Sequence, residues 1–228
     1  VDDTTPTVVG DLRPNVSDWG DRGLMGFQLA PGFPADPRAY VLYAALGRVD
    51  QTIPTGPECS TDPCIQSGML SRLDWNGSSF SETQLVHDWC QIYFSHGLDD
   101  VLALPDGTVM ASAGDSAVTG FYDTRCPDEP VGESGSLRAQ DIRTSGDPIG
   151  YTGSVIQVDA NGAPVRGPAA EDRLVAAGMR NPFRMTYSSQ TGLVFVADVG
   201  EDATESIDVV VPSTFANHGW PCYEGNAA

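Results

Sequence analysis

An all-β fold is what the sequence predicts, and three observations predict it. The 25 glycines and 17 prolines are spread along the 228 residues rather than clustered, the punctuation of many short elements joined by tight turns. Short apolar runs flank Asn-Gly and Asp-Gly pairs, whose residues tolerate the positive φ that a type I′ hairpin turn needs. A loose unit also recurs: an apolar run, a turn, a second apolar run, then a small acidic corner. Short strands at this spacing form a sandwich, a barrel or a propeller, and the recurrence favours a propeller.

Taken in order, the poorest copy of the unit joins residues 29–33 to 40–43. A strand over 69–73 follows, with a turn at Asn76-Gly77. The clearest copy is 101–104, turn 105–107, then 109–111, ending at Gly114-Asp115. Residues 154–158 form the next strand, with a turn at Asn161-Gly162. The unit returns as 185–187, turn 190–192, then 193–196, ending at Asp198-Val199-Gly200. Longer Pro-, Gly- and Ser-rich loops lie near 50–66, 116–150 and 163–178, and 169–177 reads as a short helical turn. In a propeller such loops stand on one face, where function sits. No linker divides the chain, so residues 1–228 read as one domain.

Hydrophobic residues make up 40% and charged residues 19%, a globular balance. The net charge is -19, and all twelve cations are arginines. A chain this acidic repels phosphate backbones and anionic lipid, which argues against nucleic-acid and membrane-surface roles. The carboxylates serve solubility or, at particular points, calcium, a hard cation that prefers oxygen ligands. No membrane span is legible, and the polar start implies that an export leader has been removed.

Of five cysteines, Cys59 and Cys64 could close a small loop, and Cys90 and Cys126 a larger one. Disulfides imply an oxidising compartment, hence a secreted, extracellular or periplasmic protein. Cys222 is then left over, which points to a mate beyond residue 228 and to a chain that is part of something longer.

Only three histidines can serve as a base near neutral pH: His87, His96 and His218. His87 closes an apolar run and His218 sits in a tight Gly/Pro turn, both suited to a structural hydrogen bond. His96 precedes an expected innermost strand, and Asp115 ends the strand after it. One hairpin therefore carries both to the same rim, where an Asp can orient a His base. Arg180-Asn181-Pro182 is extended before its proline, so both side chains project at a strand start, as a site or simply as a loop. Phosphate-loop, dinucleotide, metalloprotease and serine-hydrolase motifs are absent.

Together the motifs resemble those of soluble PQQ-dependent sugar dehydrogenases. Asp21-Arg22-Gly23-Leu24-Met25-Gly26-Phe27 with Pro31-Gly32-Phe33 is similar to an early segment of that family. The hairpin from Leu104-Pro105-Asp106-Gly107 to Gly114-Asp115 resembles a second motif. Arg180-Asn181-Pro182-Phe183-Arg184, Ala197-Asp198-Val199-Gly200 and Gly219-Trp220-Pro221-Cys222-Tyr223-Glu224-Gly225 follow in the family's order. The resemblance implies a six-bladed β-propeller of which this chain covers part, with the remaining blades supplied by more chain or another subunit. It implies hydride transfer from an aldose or related polyol to PQQ, and thence to an electron acceptor. His96 matches the base, Asp115 its orienting carboxylate, and Arg180 and Asn181 the pair beside the reactive quinone carbonyl. Asp21 matches a cofactor-side position, and the backbone carbonyls of Gly200 and Glu201 match Ca²⁺ ligands.

Three departures stand out. Leu98-Asp99 replaces a Gly-Gly pair that often follows the base, which would crowd the cofactor face. Asp21 stands where Gln or Glu is common, and Ser95 replaces an acidic neighbour of the base. The cations that grip the PQQ carboxylates belong to later blades. A non-catalytic propeller module that binds a glycan or a protein is therefore the alternative reading.

Overall fold

The computed structural model describes residues 5–47, 65–117, 135–143, 149–202 and 204–225. Cys59, Cys64 and Cys126 lie outside them, so neither expected cysteine pairing is described. Among the described residues no helix is long and apolar enough to cross a membrane.

Three antiparallel meanders form the structure. The first sheet runs β1 (Leu24–Leu29), β2 (Arg38–Ala44), β3 (Gln66–Trp75) and β4 (Phe80–Gln91). The second runs β5 (Leu98–Ala103), β6 (Val109–Ala113), β7 (Ser154–Val158) and β8 (Leu174–Ala177). The third is β9 (Pro182–Ser188), β10 (Leu193–Asp198) and β11 (Ser206–Val210). The chain then returns, and the two-residue β12 (Ala216–Asn217) pairs parallel with β8. The first strand of each meander touches that of the next, β1 on β5 and β5 on β9. This is the blade-by-blade arrangement that the recurring hairpins predicted.

Alternation along the strands builds the core. On β6, Val109, Ala111 and Ala113 join Leu42, Leu70 and Trp89 of the first sheet. The intervening Met110 joins Met185, Val194 and Val196 of the third. The middle sheet is thus buried on both faces, and every residue of β6, β7 and β8 is inaccessible. Trp89, fully buried, meets Tyr151 edge to face at 5.8 Å and donates its indole N–H to the Tyr151 carbonyl. Asp100 stitches two sheets, accepting from the Met185 backbone N–H at 2.9 Å.

Several expectations need correction. Residues 30–33 form a turn closed by Phe33 N–H to the Ala30 carbonyl at 2.9 Å, not a strand; Pro31 has no N–H to give a ladder. The helical turn expected over 169–177 is a 3₁₀ turn, Ala170–Arg173, and then gives way to β8. Leu174 to Ala177 are all buried, and pairing with β7 overrides local preference. β4, the outer strand of its sheet, was not anticipated, because polar residues interrupt its apolar pattern.

Candidate functional site

Two strand ends create the site. His96 stands before β5 and Asp115 just beyond β6, so their pairing brings both to one end of the second sheet. The His96 carbonyl accepts from Ser116 N–H at 2.9 Å, and the Gly97 carbonyl from Gly114 N–H at 2.8 Å. Gly114 is required by close approach. A Cβ there would lie 2.7 Å from both the His96 carbonyl oxygen and the end of the Asn181 side chain.

The His96 Nδ1 lies 2.9 Å from Asp115 Oδ1. Asp115, with 1% of its side chain exposed, is locked in turn. Trp220 Nε1 donates to its Oδ2 at 2.8 Å, and the Ala117 N–H donates to Oδ1 at 3.1 Å. An ionised Asp115 accepts from Nδ1–H, which leaves Nε2 as the unprotonated nitrogen of the neutral ring. The imidazole is thereby prepared to accept a proton.

His96 opens on a cleft of about 350 Å³ that Asp21, Arg22, Met25, Gly97, Leu98, Asp99, Asn181 and Phe183 also line. The structure therefore brings His96, Asn181 and Asp21 together, with Asp115 directly behind His96. Asn181 reaches the cleft because Asp198, at the end of β10, holds it. Asp198 accepts from the Asn181 N–H at 2.6 Å and the Arg180 N–H at 3.1 Å. Burial pushes the Asp198 carboxyl up to about 6, against the pull of those two backbone N–H groups.

Arg180 turns away from this cleft. Its guanidinium lies over the Trp220 ring at 5.6 Å and donates to the Val199 carbonyl at 3.1 Å and the Gly200 carbonyl at 2.8 Å. It lines a smaller cleft, about 90 Å³, with Asp198, Gly200, Asp208, His218 and Glu224. Glu201 is exposed, and its backbone N–H donates to Glu224. Among the described residues no cluster of three or more His, Cys, Asp or Glu side chains could hold a metal ion. His87 lies within β4 and lines neither cleft.

Leu98 and Asp99, expected to crowd the cofactor face, both line the cleft, yet little of either side chain is exposed there. Leu98 is 2% exposed and packs toward Gly68, where a Cβ would meet its Cδ2 at 2.7 Å. Asp99 is also 2% exposed and lies beside Asn181. Sequence reasoning missed Asp99 and Trp220 as parts of the site. The signal for Asp99 was present: two adjacent carboxylates open an otherwise apolar, buried strand, which is costly without a partner. Trp220 carried only its Gly-Trp-Pro context.

Radially adjacent meanders and a His–Asp pair at their shared rim define the chain as a β-propeller with a histidine-centred cleft. The family described as Glucose / Sorbosone dehydrogenase matches residues 2–227, and the chain belongs to that family. The fold is similar to the PQQ-bound aldose sugar dehydrogenase of Streptomyces coelicolor, with 19% identity, a TM-score of 0.65, and coverage of 96% of this chain and 53% of that one. The apo soluble aldose sugar dehydrogenase of Escherichia coli gives 16% identity and a TM-score of 0.62, over 91% of this chain and 52% of that one. The HIPL1 protein of Arabidopsis thaliana is 25% identical over 188 residues, which is 74% of this chain and 26% of that protein. The chain thus spans about half the length of the solved dehydrogenases and about a quarter of the plant relative.

Proposed function

We propose that this chain is the base-bearing part of a secreted, PQQ-dependent dehydrogenase that oxidises an aldose or related polyol. The observation that carries the reading is the His96–Asp115 contact at 2.9 Å, on a carboxylate whose two oxygens are both occupied. Asp115 fixes the tautomer, His96 Nε2 takes the proton of the sugar hydroxyl, and the carbon that bears this hydroxyl gives up its hydride as the C=O forms. When bound, PQQ supplies the hydride acceptor. The cleft suits its reacting end, with Phe183 and Met25 as apolar walls and His96 and Asn181 as polar contacts. Arg22 is the one arginine among the described lining residues, so the cofactor's carboxylates would draw cations from the rest of a six-bladed ring.

Calcium fits less well. The Gly200 carbonyl that would bind it already accepts from Arg180, which would set a guanidinium charge beside the ion. That contact favours the second reading, a propeller module that binds a glycan or protein without turnover. Secretion and a Cys90–Cys126 bridge belong to the same proposal, supported by the burial of Cys90.

The test is dye reduction by the full-length protein with PQQ, with and without Ca²⁺, across a panel of aldoses and polyols. Sugar-dependent reduction that requires PQQ is the expected result. A protein that neither binds PQQ nor reduces dye with any sugar leaves the binding module as the answer.

A further inference from the structure

The segment that carries His96 crosses from the first sheet to the second, between Gln91 at the end of β4 and Leu98 at the start of β5. Residues 92–97 belong to no strand, so their backbone groups need partners other than a ladder. One serine supplies several of them. Ser116, fully buried, follows Asp115 at the corner beyond β6. Its hydroxyl oxygen accepts from the Ile92 N–H at 2.9 Å and from the Tyr93 N–H at 3.4 Å. Its own N–H donates to the His96 carbonyl at 2.9 Å. The Ile92 carbonyl accepts from Arg22 at 3.0 Å, so Ile92 is held through both of its backbone groups.

The corner is also strained. His96 and Ser116 both take the left-handed region, with φ of 48° and 51°. A residue with a Cβ enters that region at a cost, which the surrounding contacts must offset. Arg138, 2% exposed, closes the corner from behind by donating to the Ser116 carbonyl at 3.3 Å.

We propose that Ser116 is a positioning residue for His96. This rests on the reading of His96 as the base. The Asp115 carboxylate sets the ring, at 2.9 Å from Nδ1, and the Ser116 hydroxyl sets the backbone from which that ring projects. Both come from one two-residue corner, so ring and backbone are placed against the same reference. The hydroxyl makes the residue particular: any amino acid brings the N–H that meets His96, but only a side-chain acceptor takes Ile92 and Tyr93.

Two readouts test this on the full-length protein. Ser116→Gly keeps the N–H and the carbonyl, accepts the left-handed φ without strain, and removes the hydroxyl. The first readout needs no cofactor: solvent exchange of the His96 Nδ1–H, assigned in ¹⁵N-labelled protein by its loss in His96→Gln. Ser116→Gly should speed that exchange about tenfold, because two buried N–H groups lose their acceptor and the segment opens more often. The His218 Nδ1–H should exchange as before. The second is turnover of the PQQ-loaded protein, where Ser116→Gly should lower kcat about tenfold with KM little changed. An unchanged His96 exchange rate, or an unchanged kcat in an active enzyme, overturns the proposal. If the His218 signal is lost as well, the substitution has disturbed the fold. Ser116→Cys, close in volume with only a weak sulfur acceptor, then decides by the same two readouts. A wild-type protein without turnover would sink the dehydrogenase reading, while the exchange rates would still decide the Ser116 anchor.

Discussion

The molecule carries the same His–Asp contact twice, and the two copies differ in everything around the contact. His96 Nδ1 meets Asp115 at 2.9 Å, and His218 Nδ1 meets Asp208 at 3.0 Å. Asp115 is sealed, with 1% of its side chain exposed and Trp220 on its second oxygen. Asp208 is 24% exposed and, among the described residues, takes the Ser206 hydroxyl there, at 2.9 Å. His96 opens on the larger cleft beside Asn181. The second nitrogen of His218 is buried, with no hydrogen-bond partner among the described residues. The pair alone is therefore no sign of catalysis. What separates the copies is room for a substrate in front of the free nitrogen.

The largest effect should come from removing each imidazole in turn. In the PQQ-loaded full-length protein, His96→Gln should lower turnover by about 10²–10⁴-fold, the span of a lost general base. His218→Gln should leave steady-state dye reduction at the wild-type rate. Equal losses in both variants would erase the distinction drawn here.

Next is the seal on Asp115. Trp220→Phe removes the indole N–H and leaves a buried carboxylate oxygen unpaired, so chemical denaturation should report a loss of about 1–3 kcal/mol.

Opposite pH dependences sharpen the contrast between buried and half-open carboxylates. Asp99 has its pKa raised by burial, so its stabilising contribution is complete below the ordinary carboxylate range and is lost as pH rises through its folded value. Asp99→Asn should therefore gain stability relative to wild type as pH rises, by at most about 1.4 kcal/mol per pH unit for one proton. The His218 hydrogen bond, against burial, holds Asp208 below the usual range. Its contribution is present above that range and fades as acid protonates it. Asp208→Asn should cost about 1 kcal/mol near neutrality in equilibrium unfolding and progressively less in acid.

Much of the fold could be read from the chain. The turns at 105–107 and 190–192 lie between the strands that they were expected to join, and the turns at Asn76-Gly77 and Asn161-Gly162 follow the strands that they were expected to follow. The hairpin argument also carried His96 and Asp115 to one rim, since their strands are paired neighbours. Less legible were β4 and β8, whose sequences do not alternate cleanly and whose pairing comes from neighbouring strands.

The sequence by itself determined the hairpins, their all-β class and the His96–Asp115 meeting, because each depends on turn chemistry and period-two alternation within a short stretch. Only the tertiary structure decided that Trp220 would cap a carboxylate 105 positions earlier. It also decided that Arg180 would spend its guanidinium on the Gly200 carbonyl, and that Asp99 would meet Asn181 from another sheet. Those contacts follow from the return of β12 to β8 and from the packing of β5 on β9. Such long-range juxtapositions leave no local periodicity in the chain, since their free energy lies in partners that are distant in sequence.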